Sequence, residues 1–101
     1  MTHKVVFRPA AENDLIALYH YIATNSGVQR AEVYIDRIEQ ACMALADFPL
    51  RGTQRDDLHP GLRITGFERR ASIAFLVEND TVRIVRIFYG GRDFPEDWGD
   101  N

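Results

Sequence analysis

Cysteine occurs once, lysine once and serine twice in this chain of 101 residues. The single thiol, Cys42, excludes an internal disulfide, as suits a reducing compartment. Of the two serines, Ser26 sits in a turn-like Asn-Ser-Gly and Ser72 in a β-type run, which leaves little for a serine nucleophile. No apolar run approaches the roughly 18 residues a membrane helix needs. The opening Met1-Thr2-His3-Lys4 leads straight into Val5-Val6-Phe7, too short and badly flanked for a secretion signal. A cytoplasmic protein without membrane contact is expected. Glycine-rich phosphate loops are missing, since Gly90-Gly91 leads into Arg92-Asp93-Phe94-Pro95 rather than a helix start. The histidines His3, His20 and His59 are scattered, with no CxxC or HExxH spacing. Neither metal nor cofactor is expected.

What is present suits one globular domain over residues 1–101, at 46% hydrophobic and 27% charged. The net charge of −3 gives the whole chain no pull on nucleic acid, so direct DNA binding is not expected. Charge is unevenly spread. Residues 51–92 hold eight arginines against five acids, and the tail 93–101 holds four acids and no base. Arginine pairs bidentately with carboxylates and phosphates, so a protein or phosphate partner for the C-terminal half competes with simple solvation of a sheet face.

Residues 3–8 read as a strand, and Pro9 suits a first helical position. Ala11, Leu15, Leu18, Tyr19 and Ile22 recur at helical spacing, predicting a helix over 10–24. Ser26 and Gln29 have capping-box form, opening a second helix over 27–48 with Ala31, Tyr34, Ile35, Ile38, Cys42, Leu45 and Phe48 on one face. Pro49 stops it. Residues 50–60 read as a surface loop, and strands follow over 62–67, 71–78 and 81–89. Asn79-Asp80 suits a two-residue turn at positive φ. Both faces of the last two strands are apolar, so that hairpin should be central. The order β-α-α-β-β-β predicts a two-layer α+β fold, with an antiparallel helical hairpin on a mostly antiparallel sheet.

One catalytic reading survives this inventory, a metal-free ribonuclease built from His59, Arg63, Tyr89 and Arg92. The residue types are right, but nothing in their spacing brings them together.

The helix from Ala10-Ala11-Glu12-Asn13-Asp14-Leu15 to Tyr21-Ile22-Ala23, then Leu45-Ala46-Asp47-Phe48-Pro49-Leu50-Arg51-Gly52, Pro60-Gly61-Leu62-Arg63, and the stretch Val82–Phe94 together resemble the ParE family of the RelE/ParE toxin superfamily. The resemblance covers about residues 4–94. One departure is Arg8 before the helix-opening proline, where the family often has a capping serine. Membership would imply the toxin of a type II toxin–antitoxin pair, contributing to growth inhibition and to plasmid or chromosome stabilisation. It would imply a stoichiometric poison rather than an enzyme, one that binds DNA gyrase on its A subunit and traps DNA cleavage. It would also imply neutralisation by a ParD-like ribbon-helix-helix antitoxin in a hetero-oligomer. The alternatives within the superfamily are a RelE-like ribosome-dependent mRNA endonuclease and an inactive, antitoxin-binding member. The net charge of −3 favours the ParE branch.

Apolar side chains outside the helix stripes, Ile16, Tyr21, Val33 and Met43, are the expected antitoxin contacts. Arg86, Arg92, Phe94 and Trp98 are the expected contacts to the target. For Trp98, which follows the last strand among acids, docking back on the sheet is the competing expectation.

Overall fold

A short first strand, β1 (Lys4–Phe7), hands the chain to two helices, α1 (Pro9–Ser26) and α2 (Val28–Ala44). Four strands follow: β2 (Thr53–Gln54), β3 (Arg63–Phe67), β4 (Ala71–Glu78) and β5 (Thr81–Tyr89). The computed structural model describes residues 3–90, 94, 95 and 98. The strands form one sheet in the order β1-β5-β4-β3-β2, with β1 parallel to β5 and the other neighbours antiparallel. This is the expected α+β architecture, and β4 and β5 lie at its centre as their two apolar faces require.

The first helix is longer than the expected 10–24 and the second shorter than the expected 27–48. Ser26 closes α1 instead of capping α2, so the predicted capping box does not form. The whole connection is Gly27, at φ 100° and ψ 155°. Its N–H donates to the Ala23 carbonyl and its own carbonyl accepts from Ala31, so one residue ends one helix and begins the next. A side chain there would disfavour that positive φ. At the far end α2 stops at Ala44, one turn before the expected 48. Leu45, Ala46 and Asp47 donate to carbonyls three residues back, a tightening that unwinds the last turn ahead of Pro49. Phe48 therefore leaves the apolar stripe and is exposed, while Leu45 stays in the core.

The expected 50–60 loop contains β2, two residues that pair with Arg63 and Ile64 of β3. The β4–β5 connection is the two-residue turn foreseen, although of its two residues only Asn79 has positive φ. In the β3–β4 turn both Glu68 and Arg69 are left-handed, at φ 49° and 62°, and Arg70 N–H closes it onto the Phe67 carbonyl. Side chains other than glycine, asparagine and aspartate pay a steric cost in that region.

The sheet carries apolar side chains on both faces. The helical hairpin covers one with Leu15, Leu18, Ile22, Ala31, Ile38 and Cys42 packed on Ile73, Phe75, Val82, Ile84 and Ile87. The other bears a second cluster of Leu62, Ala74, Leu76, Val85 and Phe88, roofed by Trp98 and flanked by Leu58 and Phe94. β5 carries one extra residue against β4, since Ala74 faces Arg86 while Phe75 faces Ile84. This bulge leaves Val85 unpaired and kinks β5 where β1 ends.

Candidate partner-binding groove

β1 pairs with β5 only as far as Ile84, so the strand edge beyond it needs another partner. Asp14, one turn into α1, supplies it. Its carboxylate accepts the Ile87 N–H at 2.9 Å and holds the Arg86 guanidinium in a bidentate pair at 2.7 and 3.0 Å. A carboxylate thus takes three hydrogen bonds at a partly buried joint, and the arginine and the strand end are fixed to α1. Arg86, an expected target contact, is committed to this joint.

The flank of α1 above the joint forms one wall of a groove. Asp14, Leu18, Tyr21 and Asn25 recur at helical spacing along it. Two depressions of about 780 and 320 Å³ run end to end here and share Tyr21 and Tyr89, whose ring centroids are 5.8 Å apart. Val33, Tyr34 and Arg37 of α2 form the second wall of the larger one, with Arg30 near the hairpin tip and Glu68 and Arg70 on the sheet side. Tyr34 lies at the centre. Its ring meets Phe67 and Tyr89 edge-on at 5.5 and 5.9 Å, and its hydroxyl is buried without a hydrogen-bond partner among the described residues. Burial pushes that hydroxyl above the ordinary phenol value and Tyr89 adds to the rise, while Arg70 and Arg37 pull the other way.

The four apolar residues expected to meet an antitoxin are all more than half exposed, from 52% for Val33 to 57% for Ile16 and Tyr21. The fold separates them. Tyr21 and Val33 face each other across the groove. Ile16 lies in a different depression, of about 360 Å³, with Phe7, Tyr19 and Ile35 between Glu12 and Glu39. Met43 belongs to neither. Sequence reasoning missed Arg37 and Arg70 as groove residues and placed Tyr34 wholly in the helix stripe. The ring is indeed in the stripe, and its buried hydroxyl lies in the groove floor.

The other expected target contacts lie across the sheet. Trp98 is 6% exposed and packs edge-on against Phe88 at 5.8 Å, with Phe94 beside both. It docks back on the outer face, the second of its two expected placements. Arg92 lies outside the described residues.

Among the described residues, the ribonuclease candidates Arg63 and Tyr89 do not converge. The register sets Tyr89 opposite Ala71 and Phe67, and Arg63 opposite Phe75. Four strand residues, roughly 13 Å, therefore separate Arg63 from the Tyr89 row. His59 belongs to the turn that enters β3 at the Arg63 end. Arg63 itself donates to the Leu50 and Arg51 carbonyls at 2.6 and 3.2 Å.

The chain matches the family model described as the ParE toxin of the type II toxin–antitoxin system parDE over residues 5–94. It is 31% identical over 87 residues to Toxin ParE3 of Caulobacter vibrioides, with 86% of each chain covered. The chromosomal ParDE toxin–antitoxin system of P. aeruginosa contains a chain of similar fold at TM-score 0.77 and 24% identity, covering 88% of this chain and 97% of that one. A chain of the RelBE2 toxin–antitoxin complex of Mycobacterium tuberculosis superposes at TM-score 0.63 and 17% identity, covering 88% and 99%. At these identities the two structures speak to fold alone.

Proposed function

The chain belongs to the ParE toxin family of type II toxin–antitoxin systems, and on that premise we propose that it poisons DNA gyrase by binding it, one toxin at a time, without catalysis of its own. The observation that carries this reading is the family match across residues 5–94, which takes in both helices and every strand. The geometry supports a binding rather than a cutting role. Among the described residues four arginines are engaged internally: Arg63, the nuclease candidate, on loop carbonyls, Arg86 on Asp14, Arg83 on Glu78 and Arg55 on Asp57.

A toxin of this kind has an antitoxin, and the groove between the helical hairpin and the end of β5 is its proposed seat. Exposed Tyr21 and Val33 offer apolar contact there, as a segment that folds on binding would use.

The test pairs two assays on the purified chain: gyrase with plasmid DNA, and translating ribosomes with message. Gyrase-dependent DNA cleavage, suppressed by antitoxin, is the expected result. Cut message with gyrase unaffected overturns the proposal in favour of the nuclease. Neither activity from a folded protein overturns it in favour of an inactive member.

A further inference from the structure

We propose that Arg37, Arg70 and the Tyr34 hydroxyl form an anion seat in the floor of the groove, and that it takes a side-chain carboxylate of the partner segment. The partner's identity as an antitoxin rests on the reading above; the seat rests on the groove itself.

Three observations lead to it. The larger depression is lined by Arg30, Arg37 and Arg70 against one acid, Glu68, in a chain whose net charge is −3. Positive charge is therefore concentrated here against the trend of the molecule. Arg37 pairs with Glu68, whereas Arg30 and Arg70 have no carboxylate partner among the described residues. The Tyr34 hydroxyl is buried with no acceptor among the described residues, and Tyr34, Arg37 and Arg70 line the same depression. A buried hydroxyl without a partner costs stability, and a carboxylate arriving between two guanidinium groups would satisfy it. In the free chain Glu68 stands at Arg37 as the nearest substitute. It does so from a left-handed turn position, at φ 49°.

The occupant is an acidic peptide rather than nucleic acid. The seat is a single point flanked by exposed Tyr21 and Val33, which call for apolar anchors beside the charge. A polyanion would need a basic track, and the net charge of the chain works against one.

The experiment uses the intact chain and three labelled probes read by fluorescence anisotropy. These are a short amphipathic peptide with leucines on one face and glutamates beside them, the same peptide with glutamines, and a single-stranded RNA. The glutamate peptide is expected to bind about tenfold more tightly than the glutamine one. Arg70→Gln should abolish that preference while leaving the glutamine peptide unchanged, and Arg70→Lys should restore part of it. Tyr34→Phe, which keeps the ring packing, should reduce the preference severalfold. Glu68→Gln should raise affinity for the glutamate peptide by removing the competing carboxylate. Melting temperatures near that of the parent chain establish that each variant folds.

Equal binding of the two peptides overturns the seat. So does an Arg70→Gln loss that falls equally on both, or RNA that binds more tightly than the glutamate peptide. None of these readouts involves gyrase, so the seat and the proposed target fail or stand separately.

Discussion

Asp14 is one carboxylate with three hydrogen bonds, at the point where β1 no longer covers β5. Asp14→Ala would strand a partly buried guanidinium and leave the Ile87 N–H unpaired. We expect a loss of about 2–4 kcal/mol in urea denaturation, and a much smaller one when the solvent-exposed pair Arg55–Asp57 is broken. Equal losses would mean that the joint is only another surface ion pair. Cys42 behaves in the opposite way, as a group the fold keeps silent. Burial, with Glu39 nearby, pushes its thiol up to about 12. The folded chain therefore holds that proton more firmly than the unfolded chain does. The sign follows: this contribution to stability is present at neutral pH and is lost as pH rises from the ordinary thiol value toward about 12. Cys42→Ala should flatten that part of the stability–pH curve, and alkylation of the native thiol should track global unfolding. Rapid alkylation of the native protein would contradict the burial.

At the scale of elements, Gly52 ties β2 to the sheet. It sits at φ 83°, and a Cβ there would lie 2.4 Å from the Ile64 carbonyl oxygen. Gly52→Ala should cost about 1–3 kcal/mol, read as a melting point lowered by several degrees, and an unchanged melting point would refute the close approach. The outer face depends on an element just as small. Trp98 roofs Phe88 and Leu62 from beyond β5, and its Nε1 is buried without an acceptor among the described residues. Trp98→Ala should cost about 3 kcal/mol or more, whereas Trp98→Phe should keep most of the stability because an aromatic ring still packs on Phe88 and Phe94. As the only tryptophan, it reports on itself: emission should be that of a buried indole until the chain unfolds.

These elements divide by how far sequence pattern could reach them. Apolar periodicity gave both helices and the central hairpin, because burial writes itself into spacing of 3.6 and 2. It carried α2 too far, since Phe48 continues the spacing although the chain has already tightened at Leu45. β2 was invisible: two exposed polar residues form it, and what holds them is the backbone of β3 and the conformation of Gly52. In the groove, Tyr21 and Val33 were legible as apolar residues off the stripe. Arg37, Arg70 and the Tyr34 hydroxyl were not, because they come together only when the β3–β4 turn folds against α2.

The whole molecule is a sheet clothed on both faces, with helices on one and a short aromatic cover on the other. Family membership rests on sequence over nearly this entire frame, and no helix of the described residues is long and apolar enough to cross a membrane. The engagement of Arg63 on loop carbonyls and its separation from Tyr89 support a poison that works by contact. A contact poison is consumed in proportion to its target, whereas an enzyme turns over. The most direct measurement is therefore a titration of the purified chain against a fixed amount of gyrase on plasmid DNA, scoring trapped cleavage complexes, with ribosome-programmed message in a parallel series. The account predicts that cleavage complexes rise with toxin and level off near equivalence with gyrase, and that antitoxin reverses them. Message cut progressively by toxin far below equivalence, with gyrase untouched, would contradict it.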